Sequence, residues 1–182
     1  TGSGAVVYAG HIGFGLGAYS FRKTLPLGLV LVAAQIPDWL DAGYCVADIS
    51  RGPNGMYTHG FIPVGAAAIV FGLLAYAITR DVTGMLIVAL VVVSHWGLDY
   101  FTGIKPTWPG GPTVGMNLYA RPLVDFALES ATILAGWLLY RRTLPKSVRN
   151  HGWTYATLLM LCTLQVLAGA AFALSLGGHT KC

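Results

Sequence analysis

Six apolar stretches dominate the sequence, near residues 5–21, 24–40, 59–79, 83–101, 123–140 and 155–174 of 182. Most approach the roughly 20 residues that a helix needs to cross a bilayer core, and windowed hydropathy reads them as spans. The predicted fold is therefore all-α: a polytopic transmembrane helical bundle of about six spans, the first of them short and Gly-rich. Residues 5–182 form one integral membrane helical domain on this reading. Only 10% of the chain is charged, against roughly 25% in soluble domains. Thr1-Gly-Ser-Gly4 has no initiator Met and reads as a cloning remnant.

The first two stretches are separated only by Arg22-Lys23-Thr24, with Pro26 where a first helical turn tolerates it, so they are expected to form a tight helical hairpin. Glycines at 10, 13, 15 and 17 lower helix propensity in the first. Gly13 and Gly17 nevertheless make a small-xxx-small pair, which lets a neighbouring helix approach closely. Two connections are long, 41–58 and 102–122, and alternation of six spans puts both on one side with the termini, called side A. Side B then carries Arg22, Lys23, Arg80, Arg141, Arg142, Lys146 and Arg149, while side A carries Arg51, Lys105, Arg121 and Lys181. This seven-to-four excess makes side B cytoplasmic by the positive-inside rule. The basic residues form no nucleic-acid-sized patch, so the net charge of +4 reports orientation and no nucleic-acid partner is expected.

Ionisable side chains within spans cost about 2.5–3.5 kcal/mol each on insertion scales and gather where a cavity, partner or ion receives them. His11 lies in the first stretch, Asp38 and Asp41 close the second, and His59 opens the third. His95 and Asp99 close the fourth, and Asp125 and Glu129 open the fifth. All fall toward side A, so five helices contribute to one depth. His95 and Asp99 are i and i+4 on one helix face, as are Asp125 and Glu129. Neutral imidazole and carboxylate suit zinc, manganese or iron, and this set could hold one or two ions. Cys45, Cys162 and Cys182 lack the paired spacing of a structural zinc or redox motif.

Taken singly, each residue has a plainer reading. An i,i+4 His-Asp bond can satisfy a buried imidazole, Pro-Asp at a helix end can be a capped turn, and His59 after Thr58 can sit at a helix start. Asp41 and Asp125 lie nearest the water and can be solvated ends or partners of the ligands. His151 and His179 fall away from the group and read as structural or exposed.

The segments Gly10-His11, Ala33-Ala-Gln-Ile-Pro-Asp38, Tyr57-Thr-His59, Ser94-His-Trp-Gly-Leu-Asp99 and Pro109-Gly-Gly-Pro-Thr-Val-Gly115, with Glu129, resemble the bacterial membrane-bound metal-dependent hydrolases of the YdjM-like group. A remoter likeness is to the His/Asp-rich metal site of zinc-dependent phospholipase C. The resemblance covers roughly residues 8–140. It implies His11, Asp38, His59, His95 and Asp99 as metal ligands, with Glu129 as a further candidate. The sequence departs from that group's compact His-Arg-Gly-x-Thr-His, because Arg51-Gly52 stands apart from Thr58-His59 and no histidine precedes the arginine.

The expected function is an integral membrane metal-dependent hydrolase in the bacterial inner membrane, its site toward the extracytoplasmic side. A divalent metal, zinc foremost, would activate water, with Glu129 or Asp125 as the proton acceptor. Arg51, Lys105 and Arg121 in the side A loops are candidates to hold the phosphate of a lipid-linked or amphipathic ester. Beyond that membrane lipid, a second copy or another membrane protein is the partner in view. The rival readings are a metal-ion or proton transporter, and a non-catalytic subunit that a metal stabilises.

Overall fold

The structure, a computed structural model, describes residues 9–175. Residues 1–4, His179, Lys181 and Cys182 lie outside them. The described chain is helical: α1 (Gly10–Tyr19), α2 (Leu27–Val46), α3 (Met56–His59), α4 (Phe61–Thr79), α5 (Val82–Thr102), α6 (Pro122–Thr143), α7 (Lys146–Arg149) and α8 (Gly152–Ser175). Two-residue strands β1 (Lys105–Pro106) and β2 (Thr113–Val114) pair antiparallel in the long loop before α6.

Four helices, α2, α4, α5 and α6, are long and apolar enough to cross a membrane, which marks this as a membrane protein. α1 has 10 residues, about 15 Å of helix, half the hydrocarbon thickness. Gly152–Leu167 of α8 is an apolar helical stretch as well. Large apolar side chains such as Ile62, Ile69, Leu73, Leu86 and Leu90 are exposed on α4 and α5, the arrangement of helices that meet lipid.

Two cores hold the bundle. Val30, Ala33, Val64, Ala68, Val88 and Val92 pack α2, α4 and α5 together, and Leu16, Ile133 and Leu161 join α1, α6 and α8. The small-residue expectation for α1 holds in detail. Gly136 of α6 faces Gly13 so closely that a Cβ there would overlap the Gly13 carbonyl, and Gly17 lies beside the Gly136 Cα one turn on. Dispersion between close backbones replaces side-chain packing along this seam.

Four candidate spans stand where the sequence suggests about six, and two pairs of connections meet at opposite ends of the bundle. On side B, Arg22 Nε donates to Asp81 Oδ2 at 2.6 Å, tying the α1–α2 turn to the α4–α5 turn. On side A, Phe61 N donates to Thr107 O at 2.8 Å and joins the two long loops. Two boundaries differ from the sequence expectation, and one is that His59 closes the short α3 and does not open the spanning α4. α2 does not close at residue 40 but continues to Val46, with Pro37 inside it. Asp38 and Asp41 do not end the helix, because both carboxylates find polar partners within the protein.

Candidate metal centre

His95 lies 13 residues from the start of α5 and 7 from its end, about 20 Å and 10 Å respectively. That depth is where α1 begins, since His11 is its second residue. Pro37 has no N–H to give, and its ring presses on the carbonyl one turn back, loosening the α2 ladder there. The next carbonyl, Ala34 O, faces His95 Nδ1 at 2.9 Å. A carbonyl only accepts, so Nδ1 carries a proton, and in the neutral ring Nε2 presents its lone pair.

The same deduction applies to His59. Thr58 Oγ1 lies 2.8 Å from His59 Nδ1 and has acceptors at Asp41 Oδ1, 2.9 Å, and Gly55 O, 3.1 Å. The single hydroxyl proton goes to one of those acceptors, so the oxygen receives the His59 Nδ1–H. In the neutral ring His59 Nε2 then carries the lone pair, 3.2 Å from Asp38 Oδ1. Asp41 is anchored in turn by Arg51 Nη1 at 2.8 Å, so an unbroken chain runs Arg51–Asp41–Thr58–His59.

The lone pairs converge on two carboxylates. His59 Nε2 and His95 Nε2 lie 3.2 and 3.5 Å from Asp38 Oδ1, and both lie 3.6 Å from Asp99 Oδ2. His11 Nε2 is 3.4 Å from Asp99 Oδ1, and its ring stacks on His95 at 3.9 Å between centroids. Ligand atoms of His11, His95 and Asp99 fall within 4.8 Å of one another, as do those of Asp38, His59 and His95. Bonds of about 2.0–2.2 Å to a central ion fit that spread. The buried His95 Nε2 and Asp38 Oδ2 have no hydrogen-bond partner among the described residues. Buried polar atoms are seldom left so. These groups could hold a metal ion.

The remaining candidates take different places. Glu129, buried on α6, accepts the Gly10 N–H at 2.8 Å, and a Cβ at residue 10 would overlap its carboxylate. Asp125 is buried one turn earlier on α6, with Oδ1 unpartnered among the described residues. Lys105, delivered by β1, brings Nζ to 2.8 Å from Asp99 Oδ2. Arg51 is engaged by Asp41, and Arg121 is exposed at the start of α6. His151 is exposed in the turn before α8.

Two contributors escaped sequence reasoning. The Ala34 carbonyl leaves no trace in residue type. Gln165, buried on α8, accepts the Ala9 N–H at 3.1 Å; its only signal was an amide within an apolar stretch.

Comparison with protein-family models, curated proteins and solved structures found no match to this chain.

Proposed function

We propose that this protein is an integral membrane metal-dependent hydrolase acting on a lipid-linked or amphipathic ester, phosphoesters foremost. The observation that carries the reading is the pair of tautomer-fixed imidazoles, His59 and His95, whose lone pairs meet the Asp38 and Asp99 carboxylates. The two candidate triads share His95, and a neutral imidazole has one lone pair to give. One ion is therefore the reading, with His11, Asp38, His59, His95 and Asp99 around it. Zinc heads the list of metals, with manganese and iron compatible with the same donors. When bound, such an ion lowers the pKa of a water toward neutrality.

The chain's own residues supply the rest. Glu129 is the proton acceptor, held in place by the Gly10 N–H, and Asp125 is its reserve one turn away. Lys105 is the cation best placed to meet a phosphate oxygen, exchanging its Asp99 contact for the substrate. The positive-inside balance puts this end of the bundle on the extracytoplasmic side of a bacterial inner membrane. A transporter would need a polar path to both faces. Among the described residues, the buried ionisable side chains His11, Asp41, His59, His95, Asp99, Asp125 and Glu129 all lie toward side A.

The test is elemental analysis of purified protein together with turnover of phosphoester and carboxylic ester lipids in mixed micelles. One equivalent of metal and turnover that both disappear in His95→Ala are expected. Metal-free wild-type protein would overturn the reading. Metal-dependent ion flux in proteoliposomes without turnover would replace it with transport.

A further inference from the structure

The turn between α6 and α8 gathers positive charge without a counter-ion. Residues 141–154 hold Arg141, Arg142, Lys146 and Arg149, and no Asp or Glu follows Glu129 in the sequence. Among the described residues none of these four cations enters an ion pair. Asp81, the acid of the α4–α5 turn, is already taken by Arg22. Tyr19 at the end of α1 and Tyr140 near the end of α6 bring their rings to 5.9 Å, so the cationic turn stands on side B with Arg22 and Asp81.

Two of the cations hold the turn in shape. Arg141 Nε donates to Arg149 O at 3.1 Å, and its Nη2 donates to Asn150 Oδ1 at 2.6 Å and Tyr155 Oη at 2.9 Å. The same guanidinium lies 5.6 Å from the Trp137 ring centre and 5.3 Å from that of Tyr155, within the reach of a cation–π contact. Arg149 Nη2 answers with bonds to Arg142 O at 3.0 Å and Leu144 O at 3.2 Å. These bonds occupy N–H groups and neutralise no charge. Like charges this close in sequence repel one another, yet the scaffold keeps them together. The Arg142 and Lys146 side chains are left exposed, without a hydrogen bond or ion pair among the described residues.

The turn also joins two apolar helices, α6, one of the candidate spans, and the Gly152–Leu167 stretch of α8. That places it at headgroup level. Trp153, 77% exposed, and the Trp137–Tyr155 ring pair, 5.7 Å apart, are residues of the kind that settle there.

We propose that this turn binds the phosphate of an anionic membrane lipid in the side B leaflet, received by Arg142 and Lys146 on the scaffold that Arg141 and Arg149 maintain. Guanidinium and ammonium both bond phosphate oxygens, and the lipid supplies the counter-charge that the turn lacks. The site lies at the opposite end of the bundle from the His/Asp cluster and does not rest on the metal-hydrolase reading.

The experiment is native mass spectrometry of the full chain in detergent, titrated with phosphatidylglycerol or phosphatidylcholine. Phosphatidylglycerol should bind about tenfold more tightly. Arg142→Gln/Lys146→Gln, which alters only exposed side chains, should cut that affinity about tenfold or more, at roughly fivefold per cation beside an anionic lipid. Arg80→Asp removes the same two units of charge from the α4–α5 turn and should cost less than about twofold. Arg141→Lys keeps the charge and loses the forked bonds, so it should weaken binding about threefold or more. Equal affinity for the two lipids, or a loss in Arg80→Asp as large as in the double variant, would overturn the proposal by reducing the turn to general positive charge. Unchanged binding in Arg141→Lys would overturn it too. So would displacement of the lipid by an equal concentration of glycerol phosphate, because the ligand would then be a soluble phosphate ester. Lys105→Met should leave the retained lipid as it was, and a loss there matching the double variant would move the lipid to side A.

Discussion

Arg22 and Asp81 lie 59 positions apart in sequence and 2.6 Å apart in space. Asp81 also caps α5, accepting from the backbone N–H groups of Thr83 and Gly84. One carboxylate therefore fastens two turns on side B and starts a spanning helix. The Arg22 guanidinium, joined by the capping bonds, holds the Asp81 carboxyl below its ordinary value of 3.8.

A carboxyl depressed by folding stabilises the protein above its unfolded pKa, and loses that contribution as pH falls through the lower folded value. Thermal unfolding in detergent between pH 7 and pH 2 should show an acid limb below about pH 4. Asp81→Asn should lower stability at neutral pH and flatten that limb. An unchanged limb would show that Asp81 does not contribute to it.

Thr58→Val should weaken metal binding about 10–100-fold, the usual cost of removing a group that orients a ligating imidazole. Thr58→Ser, which keeps the hydroxyl, should restore most of it. Chelator competition on the purified protein reads both values, and equal affinity in all three forms would remove Thr58 from the ligand scaffold.

Lys105→Met separates attraction from obstruction. Its ammonium sits on Asp99 Oδ2, where it repels an incoming cation, so the variant should bind metal more tightly. Turnover of phosphoesters should nevertheless fall at least tenfold if Lys105 meets the phosphate. Tighter metal with undiminished turnover would leave Lys105 a counter-ion alone.

Glu129→Gln keeps an oxygen for the Gly10 N–H and removes the base. Unfolding temperature and metal content should stay near wild type, while turnover falls about 10²–10⁴-fold, the range general base catalysis supplies. Retained turnover would transfer the role to Asp125.

Gly136→Ala should destabilise by about 1–3 kcal/mol, the cost of overfilling a packed contact, because its Cβ would overlap the Gly13 backbone. Gly17→Ala is the control, since a Cβ there meets only ordinary contacts, the nearest 3.5 Å away at Gly136 Cα. Comparable losses in both would show that the α1–α6 crossing is not set by these glycines.

Much of this was legible in the residues, for physical reasons. Apolar length announces helices, and the cost of burying charge makes His11, Asp38, His59, His95 and Asp99 conspicuous; alternation then put them at one depth, where the structure gathers them. The glycine spacing on α1 likewise encodes a backbone contact. Hydropathy failed at the end of α2, because Asp38 and Asp41 look like terminators until their partners, supplied 10 to 21 residues later by Arg51, Thr58 and His59, are seen. Nor does composition separate a cation facing a ligand from one already paired, so Arg51, Lys105 and Arg121 read alike in sequence and occupy three different situations.

The first helix also sets an order of assembly. At 10 residues α1 is too short to settle in a bilayer by its own hydrophobicity, and its opening amides at Ala9 and Gly10 are met by Gln165 and Glu129, more than a hundred residues downstream. During synthesis those groups wait, uncompensated, until α6 and α8 have been inserted. α1 therefore docks only once α6 and α8 are in place, and His11 joins Asp38, His59, His95 and Asp99 at that point. A chain stopped before α6 would already carry all five of these His and Asp residues, yet it would lack the two side chains that receive the opening amides of α1.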